Sequence, residues 1–156
     1  MATFVVGAND HFRPYRNTRI AYFPEAAGQT FKAGHVVVLN ASGQIAKGGT
    51  DPAAATVVGV AAEAATGTTN RKCGVYVADE NAEFQGRVQD TGALNANQVG
   101  KQYSIVLDAT NDIFRVDLTD TTNLRVNVTE LIDAPADVNG RVAFKWLNAA
   151  RIPYAS

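Results

Sequence analysis

Apolar positions along the chain follow the two-residue period of strands almost everywhere and the helical period almost nowhere. The clearest alternation is Leu124-Arg125-Val126-Asn127-Val128-Thr129-Glu130-Leu131, eight residues that predict a strand with one buried face. Residues 113–118 and 141–146 alternate in the same way. Short β-branched or aromatic runs predict further strands at 35–39, 57–62, 73–78, 84–88 and 103–107. Asn40-Ala41-Ser42-Gly43 has the chemistry of a hairpin turn and leads into another short strand at 44–46. Asp108-Ala109-Thr110-Asn111-Asp112 is a second turn cluster. The Ala-rich stretch 51–65 is broken by Thr56-Val57-Val58-Gly59-Val60, which favours a strand, although Asp51-Pro52 can open one helical turn. Gly86, inside a strand, marks an expected bulge. Eight or nine short strands separated by Gly, Asn, Asp, Thr and Ser predict an all-β fold, a compact sandwich or barrel.

The first 30 residues break the pattern. His11, Arg13, Arg16 and Arg19 are interleaved with Phe4, Phe12, Tyr15, Tyr22 and Phe23, and Asp10 is the only acid before Glu25. Pro14 and Pro24 disfavour regular structure. Residues 1–30 are therefore expected to be an extended N-terminal arm carrying cations and aromatic anchors, and 31–156 a single β domain. The competing expectation is that the arm tucks onto its own domain as an edge strand. Residues 79–137 hold eleven acids against four bases, so a basic arm precedes an acidic middle. Opposite patches of this kind can orient subunits head to tail.

With 156 residues the chain fits one domain that needs neither metal nor disulfide to fold. A net charge of −1 argues against a broadly basic nucleic-acid binder. No apolar run reaches the length of a membrane span, and the first residues lack the basic and apolar blocks of a signal peptide. One cysteine and two histidines cannot complete a structural zinc site.

Candidate chemistry is sparse. No phosphate loop, dinucleotide fingerprint or Gly-x-Ser-x-Gly elbow occurs. His35 opens an apolar strand and reads as a hydrogen-bonded surface or core histidine; Cys73 reads as a small buried residue. Asp108, Asp112, Asp117 and Asp120 lack the spacing of a calcium loop and read as turn-forming, solvated acids rather than a glycosidase pair. No catalytic residue, metal ligand or cofactor site is assigned, and no enzymatic activity is expected.

Three phrases carry a family resemblance. Residues 33–47 (Ala-Gly-His-Val-Val-Val-Leu-Asn-Ala-Ser-Gly-Gln-Ile-Ala-Lys), 57–64 (Val-Val-Gly-Val-Ala-Ala-Glu-Ala) and 73–78 (Cys-Gly-Val-Tyr-Val-Ala) resemble the opening of tailed-bacteriophage capsid decoration, or cement, proteins. Val99-Gly100-Lys101-Gln102-Tyr103-Ser104-Ile105 is similar to phage head proteins of the same type. The resemblance covers about residues 31–107, and His35 stands where such chains carry an acidic residue. It implies a jelly-roll or β-tulip-like protein, made in the host bacterial cytoplasm, that binds the outside of the assembled head and stabilises contacts between major capsid protein subunits. It further implies a homo-oligomer, a trimer in preference to a dimer, with neither nucleic acid nor membrane as partner. The arm then supplies the contact residues: Phe12, Arg13, Tyr15, Arg16 and Arg19, with Tyr22 and Phe23 as anchors, because Arg and Tyr dominate binding energy at interfaces. Arg151 and Tyr154 form a second candidate patch, whereas Trp146 reads as core. The alternatives are a virion fibre or tail-associated β module that binds carbohydrate, and a small β-barrel hydrolase using carboxylates between Asp108 and Asp120.

Overall fold

The computed structural model describes residues 7, 10–53, 55–89 and 93–152. Among them eleven strands follow one another: β1 (Arg13–Arg16), β2 (Ile20–Pro24), β3 (Val36–Leu39), β4 (Ile45–Lys47), β5 (Val57–Ala61), β6 (Lys72–Val77), β7 (Glu83–Arg87), β8 (Gln102–Asp108), β9 (Ile113–Asp117), β10 (Val126–Leu131) and β11 (Arg141–Trp146). They form a six-stranded sheet in the order β1-β7-β11-β10-β8-β9 and a five-stranded sheet in the order β2-β6-β5-β3-β4. All neighbouring strands run antiparallel, and the two sheets pack together as a compact all-β sandwich. Single parallel bridges tie the outer strands back: Glu25 to Ile45 in the smaller sheet, and Val88 to Val116 in the larger.

The nine strands that the apolar pattern predicts are β3 to β11. The other two lie in the stretch expected to be an extended arm. From Arg13 onward that stretch is built into both sheets: β1 pairs with β7, and β2 pairs with β6 over Ile20↔Tyr76, Tyr22↔Gly74 and Pro24↔Lys72. Both are edge strands, where a proline costs no ladder hydrogen bond, so Pro14 and Pro24 mark edges and not an absence of strand. Residues 10–30 thus belong to the same packed unit as 31–152, and no boundary falls at residue 30.

Strand pairing explains the apolar code. Val36 with Val60 and Val57 face the main core between the sheets, where they meet Phe84, Phe114, Phe144 and Trp146. Val37, Val58 and Ala61 point to the opposite face and join Ile45, Cys73, Val75 and Val77 in a second cluster closed by Phe31 and Ile152. Because β5 is covered on both faces, it reads as an unbroken apolar run, Val-Val-Gly-Val-Ala. The turn Asn40–Gly43 forms as expected: Asn40 Oδ1 accepts from the backbone N–H of Ser42 and of Gln44 (both 2.9 Å), and Gly43 takes a φ of +76°. Among the described residues no helical turn is seen at Asp51-Pro52. Pro52 is buried, with its carbonyl accepting from Arg125 Nε at 2.7 Å. Gly86 is not a bulge either, since the register Arg141↔Arg87, Val142↔Gly86, Ala143↔Gln85 runs through it unbroken.

Candidate interaction surface

Arg16 and Arg19 of the former arm segment are ion-paired within the chain although exposed. Arg16 Nη2 donates to Glu130 Oε2 at 2.9 Å, Arg16 Nη1 lies 3.6 Å from Glu83 Oε2, and the guanidinium stacks 4.5 Å from the ring centre of Tyr15. Tyr15 donates its hydroxyl proton to the same Glu130 oxygen at 3.2 Å. Arg19 Nε donates to Asp79 Oδ2 at 3.2 Å, and in the opposite sense Arg87 Nε donates to Asp10 Oδ1 at 2.7 Å. Two arginines of the basic start therefore answer acids of the acidic middle within a single chain.

The residues expected to make partner contacts separate into buried and exposed sets. Phe12 is 1 % exposed and lies in the main core, where it is not available to a partner. Arg13 and Tyr15 are half-buried, and Phe23 packs against the second cluster. Arg16 and Arg19 are exposed, though ion-paired, and Tyr22 stands out at 64 % exposure. Arg151 is half-buried: its backbone bridges to Val57 and its guanidinium donates to Asn148. Tyr154 lies outside the described residues. Trp146, expected in the core, is in it.

Ile20, Val99 and Val138 are further exposed apolar residues outside the expected contact set, and Ile20 is the one beside Tyr22. Ile20 is 46 % exposed and is the cross-strand partner of Tyr76, while Tyr22 is the partner of Gly74. Residues two apart on a strand share a face, so Ile20 and Tyr22 stand together on β2, with Tyr76 beside Ile20 on β6. Gly74 carries no side chain between them; a Cβ there would sit 3.4 Å from Ile20 Cγ2, Tyr22 Cε1 and Glu63 Oε2 alike. Ile20 and Tyr22 thus form an apolar step on a paired strand, with the Glu63 carboxylate beside it. Beside it opens a cleft of about 400 Å³, lined by apolar Pro14, Ala62 and Tyr76 and by basic His11, Arg13 and Lys32. A second cleft, about 700 Å³, lies at the β1–β2 and β6–β7 turns and is lined by Asn17, Thr18, Arg19, Asp79, Glu80 and Asn81.

The acids between Asp108 and Asp120 form turns, as expected, but two of them are counter-charges and not merely solvated. Asp108 Oδ2 accepts from Nε of Arg115 at 3.0 Å, a residue only 2 % exposed. Burial alone would raise the Asp108 carboxyl, but hydrogen bonds from Asn111 and Arg115 outweigh it and hold the group below its ordinary value. Asp112 Oδ1 accepts from Lys47 Nζ at 2.7 Å and Asp112 Oδ2 lies 3.2 Å from Lys32 Nζ. Asp120 caps its own turn, accepting from the backbone N–H of Thr122 and Asn123, which drive its carboxyl far below the usual range. No group of three or more His, Cys, Asp or Glu side chains among the described residues could hold a metal ion. No described helix is long and apolar enough to cross a membrane.

Comparison with protein-family models, with curated proteins and with solved structures finds no match for this chain.

Proposed function

We propose that the chain is a non-enzymatic adhesive component of a tailed-phage particle, one that binds the outer surface of the assembled head and holds neighbouring major capsid protein subunits together. The observation that carries this reading is the Ile20–Tyr22 face. A large aromatic and a β-branched side chain project from a strand fixed by five backbone pairings, Ile20↔Tyr76 to Pro24↔Lys72. Large apolar groups held rigidly in the open are the usual anchors of protein–protein contacts, because little side-chain freedom is lost when a partner covers them. Several copies on one head would add their contacts, and a homotrimer would do so without any single contact being strong.

The decisive experiment uses expanded empty heads assembled from the major capsid protein of the same genome. The purified chain is expected to co-sediment with the heads and raise their melting temperature. Ile20→Ser with Tyr22→Ala is expected to weaken binding by at least about tenfold, the loss of one anchor residue being worth about 2 kcal/mol. Point variants are required here, because deletion of residues 1–24 removes β1 and β2 and hence an edge of each sheet. A wild-type chain that ignores the heads would overturn the reading, and a double variant that binds as tightly as wild type would remove this face from it. Glycan binding without head binding would favour the carbohydrate module, with the cleft at Asn17 and Asp79 as its site.

A further inference from the structure

The chain's two histidines meet where the segment entering β1 crosses the turn entering β3, with ring centres 5.6 Å apart. His35 is fully buried, and its hydrogen bonds set its protonation. The backbone N–H of Lys32 donates to Nδ1 at 3.0 Å, so Nδ1 must be an unprotonated acceptor. Nε2 then carries the hydrogen and donates to the backbone carbonyl of Asp112 at 2.8 Å. Both ring nitrogens are satisfied only while the ring is neutral. His11 Nδ1 is buried without a hydrogen-bond partner among the described residues. Gly34 lets the two segments touch: its φ is +93°, and a Cβ on it would stand 2.4 Å from His11 Cβ.

The charged groups around the pair come from four elements. Lys32 belongs to the turn before β3, Lys47 to β4, Asp112 to the β8–β9 turn and Asp10 to the N-terminal segment. Asp10 is already held by Arg87 at 2.7 Å, and Asp112 already answers both Lys47 and Lys32. Asp112 Oδ1 also lies 3.5 Å from His35 Nε2, but that one carboxylate is shared with both lysines, and the Nδ1 side of the ring faces no acid. A proton on His35 Nδ1 would point at the Lys32 N–H, and a proton on His11 would place a second cation against the first.

We propose that His11 and His35 form an acid-sensitive latch, which helps hold residues 10–14 and the start of β1 against the β3 turn while both rings are neutral and weakens that hold, so that the segment opens more often, when the rings are protonated. Burial pushes both imidazoles below their ordinary value of 6.5, helped by Lys32 at His11 and opposed at His35 by Asp112. Their stabilising contribution is complete above that value and is lost as the pH falls from it toward the lowered native values. Because His11, Arg13 and Pro14 line the smaller cleft, opening the latch would widen it and uncover Ala62 and Tyr76.

Hydrogen–deuterium exchange on the full chain tests this between pH 7.5 and 5.0, each rate divided by the intrinsic rate at that pH. Amides between residues 10 and 16 and between 32 and 35 are expected to lose protection by at least about tenfold, one proton taken up per opening, with β10 and β11 unchanged. His35→Gln preserves an acceptor for the Lys32 N–H and a donor to the Asp112 carbonyl without titrating, and His11→Phe preserves the ring. Each is expected to reduce the acid loss, and the two together to abolish it. Constant protection in the wild type, loss spread equally over β10 and β11, or undiminished acid loss in the double variant would overturn the latch. If His35→Gln does not fold, His11→Phe alone decides, and an acid response equal to wild type counts against it.

Discussion

The ring of Phe12 rests directly on Gly86: a Cβ at Gly86 would stand 2.1 Å from Phe12 Cδ1. The ring goes on to pack against Phe144, 4.9 Å between centres, so the entry to β1 is nailed into the main core through a gap that only glycine leaves. Gly86→Ala is expected to destabilise by about 2–3 kcal/mol through overpacking, and Phe12→Ala by about 3–5 kcal/mol through the cavity it leaves. In the Phe12→Ala background the cost of Gly86→Ala should nearly vanish, because the clash has gone. Denaturant unfolding of the four chains of this cycle measures the coupling; additive costs would show that the two residues do not share the site.

Glu25 is a fully buried carboxylate at the end of β2. Its Oε1 accepts from the backbone N–H of Thr66 and Gly67, both at 3.0 Å, and its Oε2 accepts from Arg71 Nη1 at 3.0 Å. Arg71 also pairs with Glu63. Glu25→Ala leaves these donors facing a void and is expected to cost about 3 kcal/mol, or a drop of about 10 °C in melting temperature for a chain of this length. A thermal scan giving less than a third of that drop would mean water replaces the carboxylate freely.

Cys73 is buried in the second cluster, and burial, with Glu63 and Glu25 nearby, pushes its thiol up from its ordinary value. The thiolate is the reactive form, so the native protein at neutral pH should resist Ellman's reagent for hours while the unfolded chain reacts within minutes. Rapid labelling of the folded protein would contradict this placement.

Asp133 is gripped by Arg141, whose Nε and Nη2 donate to its two oxygens at 3.0 and 2.8 Å, and by the Arg141 backbone N–H at 2.8 Å. The side-chain bonds lead in holding its carboxyl below 3.8. A depressed carboxylate stabilises the fold above its unfolded value, and that contribution disappears as the pH falls through the native value. Stability should therefore decline again below about pH 3.8, separately from the histidine step. Asp133→Asn is expected to cost about 1–2 kcal/mol at pH 7 and to make the acid limb shallower, as read by urea unfolding at pH 7, 5 and 3. Asp10, Asp108 and Asp112 are held low as well, so the limb shrinks without vanishing.

Nine strands were legible because their evidence is local: period-two alternation and turn residues lie within a few positions of each other. β1 and β2 were not, since edge strands bury neither face completely and the alternation is blunted; β2 runs exposed, half-buried, exposed, half-buried, half-buried. Phe12 and Tyr22 look alike in sequence, each an aromatic close to arginines. What separates them is a contact across more than 70 positions, Phe12 with Gly86, that no local pattern encodes. The turn at Asp108–Asp112 was readable from its residues, yet the role of Asp112 was not, because its cationic partners Lys32 and Lys47 arrive from before and after β3. Ile20 escaped notice because an isoleucine reads as core until its strand is known to be an edge.

The tie-backs at Glu25–Ile45 and Val88–Val116, with Pro14 lacking a donor on the outermost strand of the larger sheet, have a consequence for behaviour in a crowded cell. Open strand margins are the usual seeds of fibrous aggregation, since they offer unsatisfied backbone to the next molecule. Here those margins are short or occupied, so the polypeptide can accumulate to high concentration without zipping to its own kind. Recognition is left to side chains, which can discriminate one surface from another where bare backbone cannot.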